Sequence, residues 1–280
     1  MKTRIIIDSS TDLIPELRAK CTVVPLTVRF GEQEYQDGVT IDHMTFYEKL
    51  AACEELPTTS QASPDTFAQI FQQVKDAGEE AVVVCLSSTF SGTCQSANIA
   101  AMDYPDCIRV VDGMNVAIGT GILAELAIRM SEEGADAAAI ADTLTRERDN
   151  IRVVAVLDTL EYLKRGGRIS KTVAFAGELL AIKPVVEIRD GVVELVGKAR
   201  GAKQANSHLM KQIESCGEVD FSKPVLLGYT GCSDELLKKF MEDSAALWQG
   251  LGTEPNYAPI GSSIGTHVGP GAVAAAFFKK

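Results

Sequence analysis

The sequence predicts an α/β protein of two domains. The first is a three-layer domain around a parallel sheet, and the second is an α+β domain with a mixed sheet. Three observations carry this expectation. Short β-branched runs alternate with helical stretches through the first half, the order expected of a parallel sheet with helices on both faces. Past residue 152 the pattern changes to two runs that alternate in two-residue steps around Asp190-Gly191. The 280 residues suffice for two ordinary domains of roughly 100–200 residues each. The expected division is 1–155 and 156–280.

The elements follow in order. Residues 4–7 are a β-branched run ending at Asp8, and 23–30 are extended up to Gly31. Residues 42–53 have helical spacing, with Phe46, Tyr47 and Leu50 on one side. Ser63-Pro64-Asp65 is a helix start, a hydroxyl cap with proline at the first helical position; that helix ends near Gly78. Residues 81–86 are continuously apolar, as in a strand buried on both faces. Helix 91–102, strand 108–111, a helix through Gly121 to Met130 and a helix over 135–148 complete the first half. Then come a strand at 152–157 and the runs 183–188 and 192–198. Asp-Gly between them signals a hairpin with a type I′ turn. Helices at 202–215 and 234–248 flank a strand at 224–229. The tail 253–271 is rich in Gly, Pro and Ser, and 272–278 form a last strand.

Composition narrows the function. Hydrophobic residues at 46% and charged residues at 23% exclude disorder. The net charge of −11 argues against a nucleic-acid binder, which needs a basic face, and against unaided docking on anionic membranes. The seven cysteines form no C-x-x-C pair, and with three histidines no zinc cluster is expected. The N-terminus reaches acidic residues after three consecutive Ile, too few for a signal peptide. No apolar stretch approaches membrane-spanning length. The expectation is a cytoplasmic protein with no stable membrane insertion and no bound metal.

Two motif matches lack the right context. Gly261-Ser262-Ser263-Ile264-Gly265 fits the nucleophile elbow G-x-S-x-G, which needs a helix straight after the serine. Gly265, Gly269, Pro270 and Gly271 argue against a helix there, and no acid lies between Ser263 and His267. Gly119-Thr120-Gly121 begins the string G-x-G-x-x-A, but too far from the end of a strand for a dinucleotide fingerprint. These glycines read as sites of close helix packing.

Two hydroxyl clusters are more informative. Pro57-Thr58-Thr59-Ser60-Gln61 lies between two helices. Ser87-Ser88-Thr89-Phe90-Ser91-Gly92-Thr93 lies between a buried strand and a helix. The second sits where open α/β sheets bind ligands, at the C-terminal end of a parallel strand. The helix that begins there aims free N–H groups at the crevice, and Gly92 allows close approach. Neither cluster holds a Lys, an Arg or a carboxylate pair. They suit holding an anion by hydrogen bonds, although caps and Ser/Thr turns account for most such clusters. His267 stands on what reads as a Gly-rich loop. Lys164, Arg165 and Arg168 form a cationic knot in an acidic chain; it is either a solvated helix end or a docking patch for an anion or acidic partner.

Taken together, the strings resemble those of the DegV family of bacterial lipid-binding proteins. They are DSSTDL at 8–13, PTTSQASP at 57–64, SSTFSGTCQSA at 87–97, LEYLKRGGRIS at 160–170, KPVVEIRDG at 183–191 and IGTHVGPGA at 264–272. Ala62 and Val268 depart from residues frequent in the family. The resemblance implies a long-chain fatty acid between the two domains, its carboxyl group held by Thr59, Ser91 and the loop histidine His267, with Gly92 and Thr93 offering backbone N–H groups. It implies no catalysis and no cofactor in this chain. The bound acid would be presented to a dihydroxyacetone-kinase-like ATP-binding subunit, which makes an acyl phosphate. Arg168 and Arg200, with Lys164 and Arg165, would dock that subunit without touching the lipid. The alternatives are a lipid carrier or sensor without a kinase, and a hydrolase using Ser91 or Ser263 with His267.

Overall fold

Runs rich in Ile and Val build the first sheet. The computed structural model describes residues 3–169 and 182–280. β1 (Arg4–Asp8) is followed by a short α1 (Pro15–Arg18), β2 (Thr22–Val24), β3 (Thr27–Phe30), β4 (Gln33–Gln36), α2 (His43–Ala52), β5 (Thr58–Ser60) and α3 (Pro64–Asp76). β6 (Ala81–Cys85), α4 (Thr93–Ala101), β7 (Ile108–Asp112), α5 (Ile118–Glu132) and α6 (Ala137–Glu147) complete the first half. All the expected helices of this half form, and the starts of α2, α3 and α6 are chemically marked. Asp42, Ser63 and Asp136 each accept a hydrogen bond from the backbone N–H three residues on.

Strands β2, β1, β6 and β7 pair in that order, all parallel. Alternation decides which face each residue serves. Ile6, Val83 and Cys85 pack with Phe67, Phe71 and Val74 of α3 and with α4. Ile5, Ile7, Val82 and Val84 pack on the other face, against α5 and α6.

The second sheet is mixed. It comprises β8 (Ile151–Val156), β9 (Ile182–Arg189), β10 (Val192–Arg200), β11 (Leu226–Tyr229), β12 (Asn256–Pro259) and β13 (Val273–Phe278), in the order β10-β9-β8-β13-β11-β12. Only β11 and β12 run parallel. α7 (Glu161–Arg165) precedes β9, α8 (Gly201–Ser215) follows the hairpin, and α9 (Glu235–Asp243) follows β11. The hairpin turn has positive φ at both Asp190 and Gly191, 47° and 75°, as a type I′ turn requires. β8 bonds on both sides to strands of this sheet. The whole of β8, on both sides of residue 155, is therefore a strand of the second sheet.

α5 lies between the two sheets, touching β1 and β6 on one side and β8, β11 and β13 on the other. Two glycines allow this. A β-carbon on Gly121 would lie 2.0 Å from the carbonyl oxygen of Asp12, and one on Gly119 would lie 2.4 Å from Val153 Cγ2. The close-packing reading of Gly119-Thr120-Gly121 therefore holds. Val153, Ala155, Val186, Ile188, Ala274 and Ala276 belong to the same continuous core as the first sheet. The outer face of the second sheet packs on α8 and α9 through Leu209, Ile213, Leu237 and Phe240.

Several parts of the fold depart from the sequence reading. β4, β3 and β5 form a small antiparallel sheet; β3 is the end of the extended run 23–30, while β4 and β5 are short and polar and show no periodicity. The tail also holds a helix, α10 (Ser262–Val268), where glycines argued against one. His267 is therefore in a helical last turn, not on a loop. The helix 234–248 ends at Asp243 and continues as a 3-10 segment, Ala245–Leu251.

Candidate functional site

The loop after β1 is a buried frame. Asp8 Oδ1 accepts from the Ser10 N–H (3.0 Å) and hydroxyl (2.5 Å), and Oδ2 accepts from the Leu86 N–H (2.7 Å). Asp12 Oδ1 accepts from the Gly261 N–H at 3.0 Å. Burial raises the pKa of Asp8 and raises that of Asp12 well above the usual carboxylate range. Asp37 secures the start of α10: it accepts from the N–H groups of Ser262 and Ser263, each at 3.2 Å, and from the Ser262 hydroxyl, while Ser9 donates to it at 3.0 Å. This network explains a helix where composition argues against one. Its cap comes from a residue more than two hundred positions away, beyond any local pattern.

α10 carries His267 to a cavity of about 390 Å³ between the two sheets. The inner end is apolar, walled by Ile118, Val153, Ala155, Val186, Ile188 and Ala274. The other end is polar and partly open to solvent. There Thr59 of β5, Ser91 and Gly92 before α4, His267 and Arg168 meet. Four of the five residues assigned to an anion site thus line one cavity. Thr59 Oγ1 and His267 Nε2 are 2.8 Å apart. Ser91 Oγ lies 2.9 Å from Thr93 Oγ1 and accepts from the Thr93 N–H at 3.3 Å.

Thr93 is the exception. It is fully buried, it is not part of the cavity wall, and its N–H is spent on Ser91. Its place is behind Ser91, which it orients. Gly92 does face the cavity, packed against the Gln61 amide; a β-carbon there would lie 2.1 Å from Gln61 Oε1. Gln61, which donates to Ser96 Oγ at 2.9 Å, was legible only as the last letter of a hydroxyl-rich string.

His267 is uncharged at neutral pH. Burial first, and the Arg168 guanidinium second, lower its pKa to about 4. Nδ1 is buried without a hydrogen-bond partner, pressed against Gly166, whose β-carbon, if present, would lie 2.2 Å away. Because an unpaired buried N–H costs more than an unpaired lone pair, the Nδ1 environment favours the tautomer with its proton on Nε2, which donates to Thr59 Oγ1. The Thr59 hydroxyl proton is then free for a ligand.

The expectation for Arg168 is partner docking without contact to the lipid; in the structure it lines the polar mouth of the cavity. Its Nε donates to Phe90 O (3.2 Å) and its Nη1 to Gly166 O (2.6 Å), so it bridges the two halves of the protein. The side-chain direction after the turn at Gly166-Gly167 sets this, and charge clustering could not show it. Lys164 and Arg165 are exposed on α7, outside the cavity, and Arg165 pairs with Glu161 at 2.6 Å. Arg200 is exposed at the end of β10. Ser170, the end of the string 160–170, lies outside the described residues.

The nucleophile readings find no support in this geometry. The His267 Nε2 contact is Thr59, and neither Ser91 nor Ser263 bonds the ring. No carboxylate orients the imidazole among the described residues, as a triad requires. Among the same residues no group of three or more His, Cys, Asp or Glu is placed to hold a metal, and no helix is long and apolar enough to cross a membrane.

A family model described as "Uncharacterised protein, DegV family" matches residues 2–280. A DegV domain-containing protein of Caldanaerobacter subterraneus is 37% identical over 285 residues, covering 100% of this chain and 99% of its own. Among solved structures, the fold is similar to a DegV family protein from Thermus thermophilus described for its fatty acid binding. The TM-score is 0.88 at 30% identity, with all of both chains covered. It is also similar to a stearic acid-binding protein from Eubacterium ventriosum, with a TM-score of 0.86 at 28% identity, covering 99% of this chain and 98% of that one.

Proposed function

The chain belongs to the DegV family, and from that premise we propose that it binds one long-chain fatty acid in the cavity between its sheets. The single observation that carries this is the cavity's polarity gradient. An apolar interior ends in a mouth where Thr59, Ser91 and His267 converge, with Arg168 beside them. The hydrocarbon tail goes inward and the carboxylate stays at the opening. About fifteen buried methylenes at ~0.8 kcal/mol each supply ~12 kcal/mol of gross drive, of which immobilisation removes several. Hydrogen bonds to the charged head group, ~1.5–3 kcal/mol each, then fix where its oxygens stand. The Thr59 hydroxyl, aligned by the His267 N–H, and the Ser91 hydroxyl are the donors.

An opening that exposes the head group and hides the tail suits presentation of the carboxylate to a second protein. The proposed role is therefore substrate presentation to a dihydroxyacetone-kinase-like ATP-binding subunit, which phosphorylates the carboxylate. The chain itself performs no catalysis, and nucleotide and metal belong to the partner. Docking is assigned to the exposed Lys164, Arg165 and Arg200, together with the mouth residue Arg168.

Native mass spectrometry of protein purified from a bacterium tests the binding step; close to one long-chain fatty acid per chain is expected. Adding ATP and the kinase subunit tests the second step, with acyl phosphate trapped by hydroxylamine as the readout. Protein that carries a nucleotide, or nothing, would refute the binding step. Loaded protein that yields no hydroxamate with the subunit would leave a carrier or sensor role.

A further inference from the structure

The string from Ser87 to Thr93 carries more hydroxyls than the head-group site uses. Ser91 lines the cavity, but Ser87 and Thr89 are not part of its wall. Both turn instead to the tip of the β9–β10 hairpin, in the other half of the protein. Ser87 Oγ donates to Gly191 O at 3.2 Å, Thr89 Oγ1 donates to the same carbonyl, and the two hydroxyl oxygens lie 2.8 Å apart. Ser87 and Gly191 are buried, while Thr89 is exposed at the rim of the contact. The approach is close: a β-carbon on Gly191 would lie 2.6 Å from Ser87 Oγ.

Ser87 is also the pivot of the turn that presents Ser91. Its carbonyl accepts from the Phe90 N–H at 3.1 Å and the Ser91 N–H at 3.3 Å, and its Oγ accepts from the Thr89 N–H at 3.3 Å. The first half of the protein holds the near side of this turn: the Ser87 N–H donates to Asn115 O at 2.8 Å and the Ser88 N–H to Asp112 Oδ1 at 3.3 Å. The hairpin holds the far side. That hairpin also walls the apolar part of the cavity, through Val186, Ile188 and Val193. One carbonyl thus joins the wall that packs the tail to the turn that offers a head-group donor.

Resting on the fatty-acid reading above, we propose that Ser87 and Thr89 are positioning residues: their shared grip on Gly191 O fixes Ser91, and with it the carboxylate, at one place relative to the bound tail. Neither residue touches the ligand. Without the two hydroxyls the buried carbonyl is left unpaired, which is costly, and the turn loses its far support. The apolar wall and its contacts with the tail remain. Head-group orientation therefore fails before binding does, and orientation is what a transfer to the carboxylate needs.

The test is carbon-13 NMR of the whole protein loaded with hexadecanoate, labelled at the carboxyl carbon in one preparation and at the terminal methyl in another. The wild type should give one narrow signal for the bound carboxyl. In Ser87→Ala with Thr89→Val, that signal should split or move by more than its own width, while the methyl signal and the amount of bound acid stay as in the parent. Ser87→Ala with Thr89→Ser, which returns one hydroxyl to the carbonyl, should restore it. Thr89→Val alone, at an exposed position, should give a smaller shift in the same direction and decides the matter if the double variant does not fold. A carboxyl signal that stays in place, or a shift that Thr89→Ser does not reverse, would overturn the assignment. So would a methyl signal that moves equally, because the tie would then support the whole cavity wall. If the wild type binds none of the labelled acid, the fatty-acid reading itself fails, and this inference with it.

Discussion

Gly166 and His267 meet so closely that no side chain fits between them: a β-carbon on Gly166 would stand 2.2 Å from Nδ1 of the ring. The φ of Gly166 is −71°, a value open to any residue, so contact alone excludes larger residues. The glycine lets the imidazole approach the end of α7 while Nε2 reaches Thr59. Gly166→Ala is therefore expected to push His267 off the Thr59 hydroxyl and cost about 1–3 kcal/mol, as overpacking does. Fatty-acid retention should fall roughly tenfold. Native mass spectra after dilution report retention. An alanine variant with full occupancy and an unshifted His267 ring signal would show that the contact is not needed.

The ionisation of His267 gives a pH signature. Its folded pKa is lowered to about 4 by burial and by Arg168, whereas an unfolded imidazole titrates near 6.5. Between these values the unfolded chain binds more protons. The contribution of His267 to stability is thus fully present above about pH 6.5 and is lost as pH falls towards 4. Asp8 and Asp12, raised by burial, act with the opposite sign, so the whole-protein curve mixes the two. The difference in melting temperature between the wild type and His267→Gln isolates the histidine, and it should shrink as pH falls from 7 to 4. Loading with a fatty acid should raise the pKa of His267, because a nearby carboxylate favours the cation. An NMR midpoint near 6.5 in lipid-free protein, or no change on loading, would rule this out.

Why these features were legible to different degrees follows from their range. The Asp190-Gly191 turn, the Ser63-Pro64 helix start and the β6 run are local, and each is written in adjacent letters. The hydroxyl clusters were legible for the same reason, so Thr59, Ser91 and Gly92 could be proposed before any fold was known. α10 was not, because its cap, Asp37, lies far away in the chain. Thr93 and Arg168 show a related limit. A residue type and its place in a string do not say which way the side chain points, and here one turns behind Ser91 while the other turns into the mouth.

Asp37 should matter more for stability than any residue that touches the ligand. It accepts from two backbone N–H groups and two hydroxyls, all buried. Asp37→Ala would strand these donors at about 1–3 kcal/mol for each group left unpaired. At roughly 2–4 °C per kcal/mol for a chain of this size, a fall of several degrees in melting temperature is expected. Because the freed α10 carries Ser263 and His267, lipid occupancy should fall with it. A variant that melts like the parent would mean that α10 is held by its packing and not by its cap.

Arg168 and Arg200 separate lipid retention from partner docking. Arg168 lines the mouth and ties Phe90 O to Gly166 O; Arg200 is exposed and outside the cavity wall. In a chain of net charge −11, exposed cations stand out to an acidic partner and speed its association. Arg200→Glu should therefore leave bound lipid unchanged and lower acyl phosphate formation at subsaturating kinase subunit, through a slower on-rate. Arg168→Glu should do both: it places a carboxylate beside the ligand's own and breaks the bridge, so lipid is lost as well. Turnover of the parent should fall as salt rises, since exposed charges are screened beyond ~8–10 Å at 0.1–0.15 M. Native mass spectra and the hydroxamate assay, run on the same preparations at several salt concentrations, read the two effects separately. Lipid loss in Arg200→Glu with unchanged partner affinity would move that arginine from the docking surface to the integrity of the fold, and full retention in Arg168→Glu would mean that its guanidinium does not serve the ligand.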